Sequence, residues 1–199
     1  MTAQSNKRFT LSLSKGFTLI ELLIVIAVLG ILAVAVLSAI NPIEQINRSR
    51  DTGSRSDSEQ LINAMDRYYT TKGYYVWQSG ATDVANLALA WQPVSDAWVD
   101  SVAVPILVGA TAKLSSGGTA EVKQSYTDRI TDATYNTMYV YNGGAQGDST
   151  YVCFAPKSGA FTTEGDDRCA GGVPDDFPAE ACNNANDECG AGTNCVCLP

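Results

Sequence analysis

The run from Leu22 to Ile40 is nineteen residues long and holds only Gly30 and Ser38 outside the strongly apolar set. Wound as an α-helix at about 1.5 Å per residue it is about 28 Å long, close to the roughly 30 Å of a bilayer's hydrocarbon core. Such a segment has no polar face to offer water, so lipid or other apolar helices must cover it. Glu21 stands directly before it. A charged side chain in a membrane segment costs about 2.5 to 3.5 kcal/mol at the helix centre, less near an end, and usually marks function. A cleavable secretory signal has a shorter apolar core with its small-residue processing site after it. Here the small-residue candidate, Gly16, precedes the run, so the apolar segment is expected to survive maturation.

The string Lys15-Gly16-Phe17-Thr18-Leu19-Ile20-Glu21-Leu22-Leu23 resembles the class III signal of type IV prepilins. The resemblance implies that residues 1–16 are a leader, cut between Gly16 and Phe17 by a membrane-embedded aspartic prepilin peptidase. It implies N-methylation of the new Phe17 amine as well. A freed α-amine has a reference pKa of about 7.7 to 8.0 and is mostly cationic at neutral pH. Glu21 lies one helical turn away and can neutralise it, in a position the helix macrodipole also favours. In the family that pairing is drawn between neighbouring subunits. The resemblance further implies a helical homo-oligomer, an assembly platform and minor pilins as partners.

The chain has a formal charge of −8, and removing Lys7, Arg8 and Lys15 with the leader leaves 10 basic against 21 acidic residues, or −11. Basic residues before the apolar run place the N-terminus in the cytoplasm and everything after Ile40 outside. An acidic exterior argues against direct binding of nucleic acid, whose phosphates are met chiefly by Lys and Arg.

After Asn41-Pro42, the residues Ile43, Ile46, Leu61, Ile62, Met65, Tyr68 and Tyr69 recur at partly helical spacing, which predicts an amphipathic continuation to about Lys72. Pro42 predicts a kink or break, and Gly30 is a second weak point. The resemblance suggests that part of Gly30 to Pro42 is stretched out of helical form in a filament; a simple bend is the other reading. Arg48, Arg50, Asp51, Arg55, Asp57, Glu59, Asp66 and Arg67 alternate in sign, the pattern of a solvated face. Helical throughout, residues 17–72 would measure about 84 Å. Residues 17–40 form the membrane or filament half and 41–72 the amphipathic stalk, with its apolar stripe packed on the head.

Gly73 is a plausible C-cap, and residues 73–199 suffice for one domain. The expected class is α+β, a long N-terminal helix packed on a mainly antiparallel β head. Tyr135 to Tyr141 and Tyr151 to Ala155, joined through Asn142-Gly143-Gly144 and Gly147-Asp148, read as a hairpin. Val99 to Val108 is a further strand candidate that Pro105 puts at an edge or splits. Ala81 to Trp91 reads as a short helix or an irregular loop packing Trp77, Trp91 and Trp98 against the stalk.

All six cysteines, Cys153, Cys169, Cys182, Cys189, Cys195 and Cys197, lie in a segment, 153–199, poor in large apolar residues. With the head outside the cytoplasm, their even number reads as disulfides with fifteen formal pairings. Cys195 and Cys197 are expected to bond different partners, and Cys153 with Cys169 is one pairing considered. Zinc is a rival, but these spacings are unlike structural zinc knuckles. The acids and amides Asp166, Asp167, Asp175, Asp176, Asn183, Asn184, Asn186, Asp187 and Glu188 would suit calcium chemically. Nothing there matches an EF-hand loop, so a solvated acidic loop is the plainer reading and no cofactor is expected.

The chain has no histidine, nucleophile elbow, phosphate-binding glycine loop or dinucleotide fingerprint, so an enzyme is not expected. The sequence points to a structural subunit of a type IV pilus-like filament, a single-pass membrane precursor with its head outside that passes into a cell-surface fibre. A pseudopilin of a type II secretion apparatus is one alternative. A membrane-anchored binding ectodomain that never polymerises is another.

Overall fold

The computed structural model describes residues 16–39, 41–117, 120–182, 188–190 and 192–199, in two units that divide after Pro42. Expectations placed on Lys7, Arg8, Lys15, Ile40, Asn183, Asn184, Asn186 and Asp187 lie outside the described residues. The first unit holds helix α1, Leu19–Ala39. Helix α2, Pro42–Lys72, opens on its proline, where the missing N–H is not needed. It ends at Gly73, whose φ of +77° lets its N–H reach the Tyr69 carbonyl at 2.7 Å, a left-handed C-cap.

The head carries a four-stranded antiparallel sheet in the order β1 (Leu89–Pro93), β2 (Met138–Asn142), β3 (Thr150–Phe154), β4 (Val196–Leu198). Helix α3 (Gln124–Ile130) precedes the β2–β3 hairpin, and α4 (Gly159–Ala170) follows it. The hairpin pairs Met138 with Phe154 and Val140 with Val152. Buried Asn142 fixes its turn, donating to Thr150 Oγ1 at 3.0 Å and accepting from the Gly144 N–H at 2.9 Å. Gly144 sits at φ +84°, and a Cβ there would lie 2.5 Å from the Ala88 nitrogen, so the turn admits only glycine.

Strand periodicity divides the sheet's two faces. Met138, Val140, Val152, Phe154 and Val196 join Leu61, Ile62, Met65 and Tyr68 of α2 in the main core. Tyr151, Cys153 and Cys197 belong to a second cluster with Phe177, Ala181, Cys189 and Cys195. Three disulfides brace it: Cys153–Cys197, Cys169–Cys182 and Cys189–Cys195. The Cys153–Cys169 pairing is therefore overturned. Cys153 lies within β3, and β4 brings Cys197 directly opposite it in register, with the Cα atoms 4.0 Å apart. In the chain-entropy model a link closing that loop contributes about 4 kcal/mol.

Three other expectations change. Val99 to Val108 forms no strand, only an isolated bridge between Val99 and Pro105. Its Val102 and Val104 amides donate to the Asp100 carboxylate at 3.0 and 2.8 Å, and Ala103 stands at φ +65°, so no ladder can run through it. Around Ala81 to Trp91, one 3₁₀ turn (Val84–Asn86) leads into β1. Trp77 and Trp98 enter the main core, whereas Trp91 stacks on Tyr139 and packs with the disulfide cluster instead of the stalk.

The alternating charges of α2 are not one solvated face either, since Asp51 and Asp57 are buried. Asp51 accepts the Lys157 N–H at 3.0 Å and both the N–H and hydroxyl of Ser158 at 2.8 and 2.6 Å. Glu44 accepts the Gly159 N–H at 2.9 Å. The N-terminus of α4 is thus held by two carboxylates of α2, where donors are otherwise unpaired and the helix dipole favours negative charge. Asp57 pairs with Arg129 at 2.5 Å and accepts the Tyr135 hydroxyl, while its carbonyl accepts the Tyr126 hydroxyl at 2.6 Å. Burial, and then donation to Asp57, push the Tyr135 hydroxyl up to about 12.

Asp51→Ala leaves the Lys157 and Ser158 donors unpaired in the interior and is expected to destabilise the detergent-solubilised chain by about 3 kcal/mol. Urea unfolding measures it, and a loss under about 0.5 kcal/mol, the range of ordinary surface changes, would refute the anchoring role. A second expectation concerns acid. Burial alone would push the Asp100 carboxyl up, but Lys113, ion-paired at 2.6 Å, and the Val104 and Val102 amides outweigh it and hold the group below its ordinary value. The unfolded chain therefore binds this proton more readily. The stabilisation is complete above the unfolded value of about 3.9 and is lost as pH falls through the lower folded value. Unfolding midpoints of wild type and Asp100→Asn should converge below about pH 4; a constant gap down to acid would exclude this linkage.

Candidate assembly site

Gly16 and Phe17 are exposed and precede α1, and Thr18 stands just before its first residue. Thr18 and Glu21 close a reciprocal cap. The Glu21 N–H donates to Thr18 Oγ1 at 3.2 Å, and Glu21 Oε2 accepts the Thr18 N–H at 3.1 Å and its hydroxyl at 2.9 Å. This is the Thr-x-x-Glu capping box, a signal present in the sequence that our reading of Glu21 as a charge partner passed over. The cap engages Oε2 alone; Oε1 has no hydrogen-bond partner among the described residues.

From Leu19 to Ser38 the helix is long and apolar enough to cross a membrane, and none of it is buried within the chain. Leu19 is 92% exposed and Phe17 83%. Apolar surface on every side of a helix requires an apolar surrounding. Gly30 lies within the helix, and a Cβ there would meet nothing within 4 Å, so no packing inside the chain demands a glycine. Helix α1 is described as far as Ala39, Asn41 is non-helical, and Pro42 opens α2.

The acids considered for calcium are in part engaged elsewhere. Asp166 accepts the Asn194 amide at 2.9 Å, and Asp176 accepts the Ser149 N–H and the Tyr151 hydroxyl at 2.8 and 3.0 Å. The Ser149 amide is the main cause holding the Asp176 carboxyl below its ordinary value. Glu188 accepts the Trp91 ring N–H. Among the described residues no three His, Cys, Asp or Glu side chains converge on a common point.

Comparison with known proteins agrees with this N-terminal geometry. The family profile described as the prokaryotic N-terminal methylation motif matches residues 11–37. Fimbrial protein EcpC of Eikenella corrodens is 29% identical over 153 residues, which cover 75% of this chain and 94% of that protein. Type IV major pilin protein PilE1 of Neisseria gonorrhoeae is 35% identical over 112 residues, covering 56% of this chain and 65% of that one. No solved structure matches the chain. An uncovered apolar helix, the methylation motif at its head and similarity to a fimbrial protein and to a pilin converge: in these features the chain is similar to type IV pilins.

Proposed function

We propose that the chain is the structural subunit of a pilus-like filament, cut after Gly16, methylated on Phe17 and polymerised through α1. The observation that carries this reading is α1 itself, apolar on all sides and covered by nothing in its own chain. Lipid covers it in the precursor, and α1 helices of other copies cover it in the filament, so transfer between the two exchanges one apolar surrounding for another. In that transfer the Phe17 ammonium leaves water and needs a counter-charge. Glu21 supplies it through Oε1, whether in its own chain or in a neighbour, while Oε2 keeps the helix capped.

The two roles of Glu21 separate in a pair of variants. Glu21→Ala loses both cap and charge, whereas Glu21→Gln keeps an amide oxygen for the cap and loses only the charge. An uncompensated buried charge costs about 3 kcal/mol or more, so both variants should lower the yield of sheared filaments by more than about 100-fold with the membrane pool intact. Wild-type yield from Glu21→Gln would mean that Glu21 serves only as a cap. Mass spectrometry of wild-type filaments should find an N-terminus at Phe17 carrying one added methyl. An intact leader recovered only in membranes would overturn the filament reading in favour of an anchored ectodomain.

A further inference from the structure

Four of the ten basic residues beyond residue 16 are held in ion pairs. Arg55 pairs with Glu164, Arg67 with Glu121, Lys113 with Asp100 and Arg129 with Asp57. Arg50 and Lys157 are exposed, have no ion-pair partner among the described residues, and line the same open groove of about 730 Å³ along α2. Gly53 also lines the groove, and a Cβ there would meet nothing within 4 Å. The acids near the groove are already saturated: Asp57 holds Arg129 and Tyr135, and Asp51 is fully buried beneath the Lys157 and Ser158 donors. What faces outward is positive, on a chain whose formal charge is −8.

The opposite charge collects at the far end of α4. Between residues 164 and 182 stand Glu164, Asp166, Asp167, Asp175, Asp176 and Glu180 against Arg168 alone, and the Cys169–Cys182 bond closes most of this stretch into a loop. The exposed Asp167 and Asp175 side chains have no partner among the described residues. Lys157 lies just before the first turn of α4 and the loop begins near its last, and the helix's 12 residues put about 18 Å between the two ends. No described residue of the loop lines the groove of its own chain.

Building on the filament reading, we propose that the Arg50–Lys157 groove is the docking site for the acidic segment of a second copy of the chain that runs from Asp167 through the Cys169–Cys182 loop. Donor and acceptor are different surfaces, so the contact is heterologous, and its repetition gives an open filament when the rotation between copies does not close a ring. Complementary charge fixes the register and offsets the repulsion between like-charged heads. Two cations across one groove match a pair of carboxylates; a nucleic-acid backbone draws its affinity from many Lys and Arg contacts.

A charge swap in the full-length chain, read as the mass of sheared filaments, tests the contact. Arg50→Glu with Lys157→Glu, and separately Asp167→Lys with Asp175→Lys, should each lower yield about 10-fold or more. Combining all four substitutions should restore yield to within about twofold of wild type, which misfolded heads could not do. Normal yield from either reversed pair, or a combined variant no better than its parents, overturns the proposal while wild-type filaments keep the filament reading intact. Absence of wild-type filaments removes that earlier reading and this one together.

Discussion

The most apolar segment of this chain is unavailable to its own core. Helix α1 is exposed along its length, so the head must be built from one stripe of α2, a sheet of short strands and well-packed loops. A sheet this small has two faces and cannot leave both wet. The face toward α2 is closed by ordinary burial around Leu61, Met65, Val140 and Phe154. The other is closed by Tyr151, Phe177 and the cystines, in a stretch with too few large apolar residues to do so alone. Disulfides compensate for a small core in such cases.

The same shortage explains why polar groups of α2 are brought inside. A helix serving as both stalk and core wall needs a fixed orientation against the sheet, and apolar contacts alone are non-directional. Asp51 at the start of α4, and Asp57 between Arg129 and Tyr135, supply directional bonds across more than 70 residues of sequence. They set the rotation of α2 under the sheet and leave Ser49, Arg50, Gly53 and Ser56 on its outer side.

How much of this could be read from sequence depends on whether the signal was local. The apolar helix, the Gly73 stop, the β2–β3 hairpin and the α+β class rest on periodicity and turn residues within a dozen positions of one another. Strand β4, three residues long, gave no periodicity, and without it Cys197 could not be placed opposite Cys153. The stretch from Val99 to Val108 has strand composition, yet Asp100 captures the amides a strand would need; that competition is visible only in three dimensions. Sign alternation on α2 identified an exposed face correctly for Arg48 and Glu59 and wrongly for Asp51 and Asp57, because a carboxylate that receives several donors can be buried despite the cost of removing its charge from water. The Thr18–Glu21 box was local and legible, and was eclipsed by the charge chemistry of the same residue.

All six cysteines are spent inside one chain, and no thiol is left to tie one copy to another. Any assembly of this protein is therefore covalent within its beads and non-covalent between them. The cystines also shorten the length of head chain that pulling on such a string can release.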